Sequence, residues 1–153
     1  MTRPSLDALY MEMARLIATR ATCPRRSVGC VLVDARGRVL SMGYNGVPSG
    51  RPHCTDSPCP GAGYPSGQGL DKCQAIHAEQ NAVLLLSDPR QVHTAYITTT
   101  PCQSCVKLLL GTSCVRLVCG SQYVHTGPIE EWEANGREVV FFQAPDLGGL
   151  IVG

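Results

Sequence analysis

Between residues 5 and 21 the apolar side chains Leu6, Leu9, Met13, Leu16 and Ile17 recur at helical spacing. Ser5 stands where it can cap the first turn and Asp7 lies near its positive end, so the pattern predicts a first helix. The period then shortens. VGCVLV (28–33) and RVLSMGY (38–44) read as two strands joined through DARG, whose Gly37 suits a tight turn. Residues 45–72 follow neither period and hold many of the glycines and prolines, which predicts a long irregular connection; such loops are usually functional or tied down. Helical spacing returns near Ile76, runs through HAEQNAVLLL and stops before Asp88 and Pro89. AYITTT (95–100) reads as a strand, CQSCVKLLLG as a helix ended by Gly111, VRLVCG as a strand, 128–135 as a helix and EVVFF (138–142) as a last strand. This order predicts one five-stranded sheet with helices on its faces.

Composition narrows the class. A chain of 153 residues with 44% hydrophobic and 16% charged residues suits one compact domain spanning 1–153, with its core within about 8–142 and a Gly-rich tail at 145–153. The formal charge of +1 leaves out the strong basic excess that drives nonspecific nucleic-acid binding, so a small-molecule substrate is favoured over a polymer. The N-terminus lacks an apolar core followed by a cleavage site, and no stretch approaches a membrane span; a soluble, cytoplasmic protein is expected. Nine cysteines are many for such a chain. Because a reducing compartment disfavours disulfides, their spacing decides between metal binding and plain buried thiols.

Two short motifs carry the chemistry. His77 and Glu79 stand in His-Ala-Glu at the start of one predicted helix, and Cys102 and Cys105 in Pro-Cys-Gln-Ser-Cys at the start of the next. H-x-E followed by P-C-x-x-C is the recognised signature of zinc deaminases. Cysteines three apart at a helix start bring both sulfurs to the end where free N–H groups stabilise thiolates, and one imidazole completes three ligands. A zinc with three protein ligands keeps its fourth position for water and lowers that water's pKa to about 7, which makes hydroxide available to attack. Glu79, two residues beyond the histidine, can enter the same cavity as proton shuttle, base first and acid afterwards. Taken singly, C-x-x-C also fits a closed structural site or a redox pair, and H-x-E also occurs by chance.

HAEQNA and TTTPCQSCVKLLL resemble the two zinc motifs of the cytidine deaminase superfamily, and VGCVLVDARGRVLSMGYNGVPSG resembles the deoxycytidylate deaminases. The resemblance spans roughly residues 8 to 142. It implies a three-layer α/β/α sandwich with a mixed five-stranded sheet, a catalytic zinc on His77, Cys102 and Cys105, and hydrolysis of dCMP to dUMP by hydroxide attack at C4. It further implies that Asn45 binds the deoxyribose hydroxyl, that Arg26 meets the phosphate, and that Tyr123 lines the pocket. The alternatives are that Asn45 is a turn residue tolerating positive φ and that Tyr123 is a core-boundary aromatic. Cys30 stands where the family usually carries alanine. His93 and His125 have no motif around them and read as surface or structural residues.

Several microbial members of the family hold the long connection with a second, structural zinc, and Cys23, Cys54, Cys59 and Cys73 match the positions expected of its ligands, with His53 competing for a place. Cys30, Cys114 and Cys119 suit small buried apolar positions. The resemblance also implies a homo-oligomer, a hexamer, with dCTP and dTTP as effectors near Gly46 to Gly50. Competing readings are a deaminase of a 5-substituted dCMP or of another nucleoside or base, an editor of tRNA adenosine or single-stranded DNA, and a noncatalytic zinc-binding module. Glu79 argues against the last, since a structural site has no use for an acid beside the metal.

Overall fold

The computed structural model describes residues 3–142; the tail expected at 145–153 lies outside them. Helix α1 (Leu6–Ala18) begins where Ser5 Oγ accepts the Ala8 N–H at 3.1 Å. Its buried face is not the leucine stripe. Tyr10, Met11, Ala14 and Ala18 face the sheet, while Leu6, Leu9 and Leu16 are exposed. Tyr10 and Met11 cluster with Val31, Val33, Tyr96 and Val118, and the small Ala14 and Ala18 let the helix lie close to the strands, which leaves the leucines on the outer side.

The sheet comprises β1 (Gly29–Val33), β2 (Val39–Tyr44), β3 (Thr94–Ile97), β4 (Arg116–Cys119) and β5 (Glu138–Phe141), in the order β2-β1-β3-β4-β5. β1 runs antiparallel to both β2 and β3, whereas β3, β4 and β5 are mutually parallel, so the sheet is mixed. Gly37 turns the β1–β2 hairpin at φ 77°. Helices α2 (Ala78–Leu84), α3 (Gln103–Leu110) and α4 (Gly127–Ala134) connect the remaining strands and bury Ala78, Ala82, Val106, Leu109, Ile129 and Trp132 with Leu32, Ile97 and Leu117. With α1 in the separate cluster containing Val31, Tyr96 and Val118, the three layers are complete. Cys30, Cys114 and Cys119 are fully buried in the larger core. No helix among the described residues is long and apolar enough to cross a membrane.

Several elements are shorter than their patterns predict, two of them because the chain takes other partners. Ile76 is held extended by a two-way backbone pairing with Gly46, at 2.8 and 3.1 Å, so α2 starts only after His77. β3 ends at Ile97: Thr98 N–H still reaches Gly29 O of β1, but beyond it the chain leaves the ladder and Thr100 N–H donates to Ser121 O. Residues 98–102 and 120–126 thereby gather beyond the carboxyl ends of β3 and β4, where α/β sheets place their ligands.

Two ion-supported contacts hold this frame. Asp7 receives Arg116 through both carboxylate oxygens at 2.9 and 2.8 Å and Tyr96 OH at 2.6 Å, which ties α1 to β3 and β4. Arg137 donates to the carbonyls of Cys114 (2.6 Å) and Leu110 (3.0 Å), capping the end of α3.

Candidate metal centre and pocket

α2 and α3 start side by side and present three ligand atoms to one another. His77, immediately before α2, donates its backbone N–H to Gln80 Oε1 at 2.8 Å, which fixes the entry into the helix. Cys102 is the N-cap of α3 and Cys105 lies in its first turn. The ligand atoms of His77, Cys102 and Cys105 all lie within 4.8 Å of one another, and both sulfurs are 3.4 Å from His77 Nδ1. Zinc bonds of about 2.3 Å to sulfur and about 2.0 Å to nitrogen, meeting near the tetrahedral angle, put sulfur and nitrogen about 3.5 Å apart, so the donor set fits zinc.

The same crowding shapes the proton inventory. Cys102 is lowered to about 3 by hydrogen bonds from Cys105, His77 and Ser104, while Cys105 is raised strongly as the partner that keeps the shared proton. His77 is raised by its bond to Cys102. Glu79 is only 4% exposed, and burial pushes its carboxyl above the ordinary range; its own N–H and His77 partly offset this. A buried carboxyl, raised by its burial and set beside a two-sulfur, one-nitrogen donor set, is suited to taking up and passing on a proton.

His77, Glu79 and Cys102 open into a cavity that is also lined by Asn45, Arg26 and Tyr123, a concave site with convergent polar groups of the kind that takes a small ligand. Asn45 is buried, and its amide spans the preceding segment: Oδ1 accepts the Val28 N–H at 2.8 Å and Nδ2 donates to Arg26 O at 2.9 Å. No non-glycine residue among those described has positive φ, so Asn45 is not there as a left-handed turn residue. Arg26 stacks 4.2 Å over the Tyr123 ring and donates to Thr99 Oγ1 at 3.2 Å. Among the described residues no carboxylate pairs with it. Thr100 Oγ1 accepts the Tyr123 N–H at 2.7 Å and so sets the tyrosine's place.

Arg25, Leu70 and Thr99 also line the cavity and carried no signal in the sequence: Arg25 is indistinguishable there from Arg26, and Leu70 sits in an aperiodic stretch. His93 bonds its neighbour Thr94 and stands apart from the cavity, whereas His125 meets Tyr123 edge-on at 5.4 Å and reaches Gly67 O.

The four loop cysteines converge more loosely. Cys54 and Cys59 are in thiol contact, and Cys23 and Cys59 both act electrostatically on Cys73. Burial raises Cys59, but the N–H groups of Gln74, Gly61 and Ala62 outweigh it and bring the thiol below its ordinary value; burial leaves Cys73 and Cys54 raised. Among the described residues, His77, Cys102 and Cys105 are the one group of three or more at metal-ligand spacing. His53 lines a different cavity, beside Gly46 to Gly50.

The family profile described as "Cytidine and deoxycytidylate deaminase zinc-binding region" matches residues 4–121. The chain is 45% identical over 107 residues to deoxycytidylate deaminase of Schizosaccharomyces pombe, covering 67% of this chain and 33% of that one. It is 36% identical over 124 residues to deoxycytidylate deaminase of Mycobacterium phage D29, covering 77% of this chain and 96% of that one. The chain thus spans about a third of the length of the fission-yeast relative and nearly all of the phage one. A crystal structure of dCMP deaminase from the cyanophage S-TIM5 superposes with a TM-score of 0.70 at 25% identity, over 92% of this chain and 100% of that one. The profile covers both zinc motifs, and the superposition covers the sheet and helices that hold them: the chain belongs to the cytidine and deoxycytidylate deaminase family of zinc-binding proteins.

Proposed function

We propose that the protein hydrolyses dCMP to dUMP and ammonia, using one water, with Glu79 as the proton shuttle. One observation carries this reading: the buried Glu79 shares a single pocket with His77 and Cys102 of the three-donor group and with Arg26, a cation that no carboxylate pairs among the described residues. A zinc on those three ligands supplies Lewis acidity and lowers the pKa of water. Glu79 takes one proton from the water whose oxygen bonds to C4 and delivers it to the adjacent ring nitrogen; it then takes the second proton from the hydroxyl now on C4 and gives it to the amine, so that the C4–N bond breaks, ammonia leaves and the C4 carbonyl forms. Its burial excludes bulk water from that relay. Asn45 keeps capacity for a sugar hydroxyl, since an amide oxygen accepts two bonds and its nitrogen donates two. Arg26 takes the phosphate, and Tyr123 steadies the guanidinium from its other side.

The assay is ammonia release from dCMP, its 5-substituted forms, CMP, deoxycytidine and guanine. dCMP should be consumed far faster than deoxycytidine; equal rates would point to a nucleoside deaminase. Arg26→Gln should lower kcat/KM for dCMP about 10- to 100-fold, the cost of one charge-assisted contact, and leave deoxycytidine almost unchanged.

The same reading places a second, structural zinc on Cys23, Cys54, Cys59 and Cys73. It is supported by the approach of these thiols, Cys23 from the α1–β1 connection and the other three from the long loop, and by the backbone N–H groups aimed at Cys59. Cys23 is the better fourth ligand than His53, because it interacts with Cys54 and Cys73 while His53 faces elsewhere. Thiolate ligands need a reducing compartment, which supports a cytoplasmic setting. Assembly as a homo-oligomer, a hexamer by resemblance, is supported by the apolar Leu84 and Leu85 exposed on and just after α2, beside Met42 on the edge strand β2. The cavity they share with Gly46 to Gly50 is where dCTP or dTTP would act as effectors.

A further inference from the structure

The segment from Gly61 to Cys73 contributes Leu70 and Cys73 to the pocket lining and is fastened at two places. At one, Arg25 Nη1 donates to Gly61 O at 2.6 Å and to Gln68 O at 3.0 Å, bringing two carbonyls seven residues apart onto one guanidinium. At the other, His125 Nε2 lies 3.1 Å from Gly67 O, a hydrogen bond donated in the tautomer protonated at Nε2. Gly67 itself sits at φ 81°, and a Cβ there would come within 2.6 Å of Val124 and 2.9 Å of His125, so the segment is seated against the 123–125 turn without room for a side chain.

Between these fastenings and Cys73 stands Leu70. It lines the cavity that holds His77 and Glu79 and also the outer cavity beside Val124 to Pro128, so it forms part of the partition between them. It is 40% exposed, apolar surface at the pocket mouth that a base or sugar would cover. Arg25, unlike Arg26, spends its donors on backbone, and among the described residues it forms no ion pair.

We propose that Arg25 and His125 are positioning residues that pin the 61–73 segment as a roof over the pocket, and that through Leu70 this roof sets how tightly the nucleotide is held. The inference rests on the dCMP reading for the identity of the nucleotide, but not for the pinning. Arg25 acts through the roof and leaves the phosphate to Arg26, so its loss weakens every ligand that lies under the roof, charged or not.

The test uses the full-length, zinc-loaded protein with Arg25→Met, which keeps the reach of the side chain and removes the forked donors. Hydrogen–deuterium exchange of amides 61–73 should accelerate, and KM should rise about tenfold for dCMP and by the same factor for deoxycytidine, with kcat changed by no more than about threefold. His125→Phe, which keeps the edge contact with Tyr123, and Gly67→Ala should each reproduce that pattern, His125→Phe to a smaller degree; they carry the test if Arg25→Met does not fold. Unchanged exchange across 61–73 in all three variants would overturn the proposal. So would a KM rise confined to dCMP, or Arg25→Lys restoring KM for dCMP while exchange stays fast, because both outcomes make Arg25 a direct phosphate ligand. If the wild-type protein deaminates neither dCMP nor deoxycytidine, the functional reading fails, and the exchange comparison still decides whether Arg25 and His125 pin the roof.

Discussion

The floor of the pocket and its rim are built in different ways. His77, Glu79, Cys102 and Cys105 sit at the starts of two helices packed on the central sheet, where buried neighbours and capping bonds hold them. The rim is irregular chain, 23–28, 45–75 and 121–126, held by single side chains reaching backbone carbonyls, with cysteines that approach one another among it. The floor's donors reach metal-ligand spacing through packing, whereas the loop thiols come near one another without reaching it. A site resting on the core is set by the energy of the whole fold, while one resting on a loop needs its own fastenings. Loss of the floor's proton carrier should therefore stop turnover and spare stability, whereas loss of a rim group should cost local stability or substrate binding and spare the chemical step.

The largest effect should come from Glu79→Gln. Turnover of dCMP is expected to fall by at least 10²- to 10⁴-fold, roughly the usual contribution of a general acid–base group, with zinc content and melting temperature nearly unchanged. Normal deamination by that variant would sink the mechanism and the division between floor and rim with it. Next is Cys59→Ser on the rim. Metal analysis should drop from two zinc atoms per chain to one, and the melting temperature by about 5–10 °C, equivalent to ~2–3 kcal/mol for a chain of this size, while kcat persists at low temperature. A firm value of one zinc in the wild-type protein would remove the second site. The smallest effect calibrates the frame beneath both. Arg116 and Tyr96 hold the Asp7 carboxyl below its ordinary value of 3.8, although burial works against them. A depressed carboxylate contributes stability that is present above the unfolded value and is lost as pH falls through the native one. Asp7→Asn should accordingly cost ~1–2 kcal/mol at pH 7 by urea unfolding, and the deficit should shrink below about pH 4. A deficit independent of pH would assign the loss to packing.

Much of the floor was readable from the chain because its residues are local: H-x-E and P-C-x-x-C each fit inside one helical turn, and the turn puts their side chains on one end. Periodicity located all four helices and five strands, since a buried face must repeat at 3.6 or 2 residues. It misjudged which face of α1 is buried. Leu6, Leu9 and Leu16 outrank Ala14 and Ala18 in hydrophobicity, but the sheet needed small side chains at close approach. It also overran both ends where the chain leaves its period for a distant partner, Ile76 for Gly46 and Thr100 for Ser121.

The rim was legible only as composition. Arg25 and Arg26 are adjacent and chemically identical in the sequence, yet one folds onto the roof and the other stacks on Tyr123 beside the pocket. His125, without a motif, meets Gly67 from 58 positions away. The chain's own letters were enough to pick out the three donors that converge, the glutamate buried beside them and the sheet, because those depend on spacing within single elements. Which arginine stacks on Tyr123, which leucine stands in the pocket lining and which thiols approach one another were decided by long-range packing, in which residues far apart in sequence compete for the same few ångströms of space.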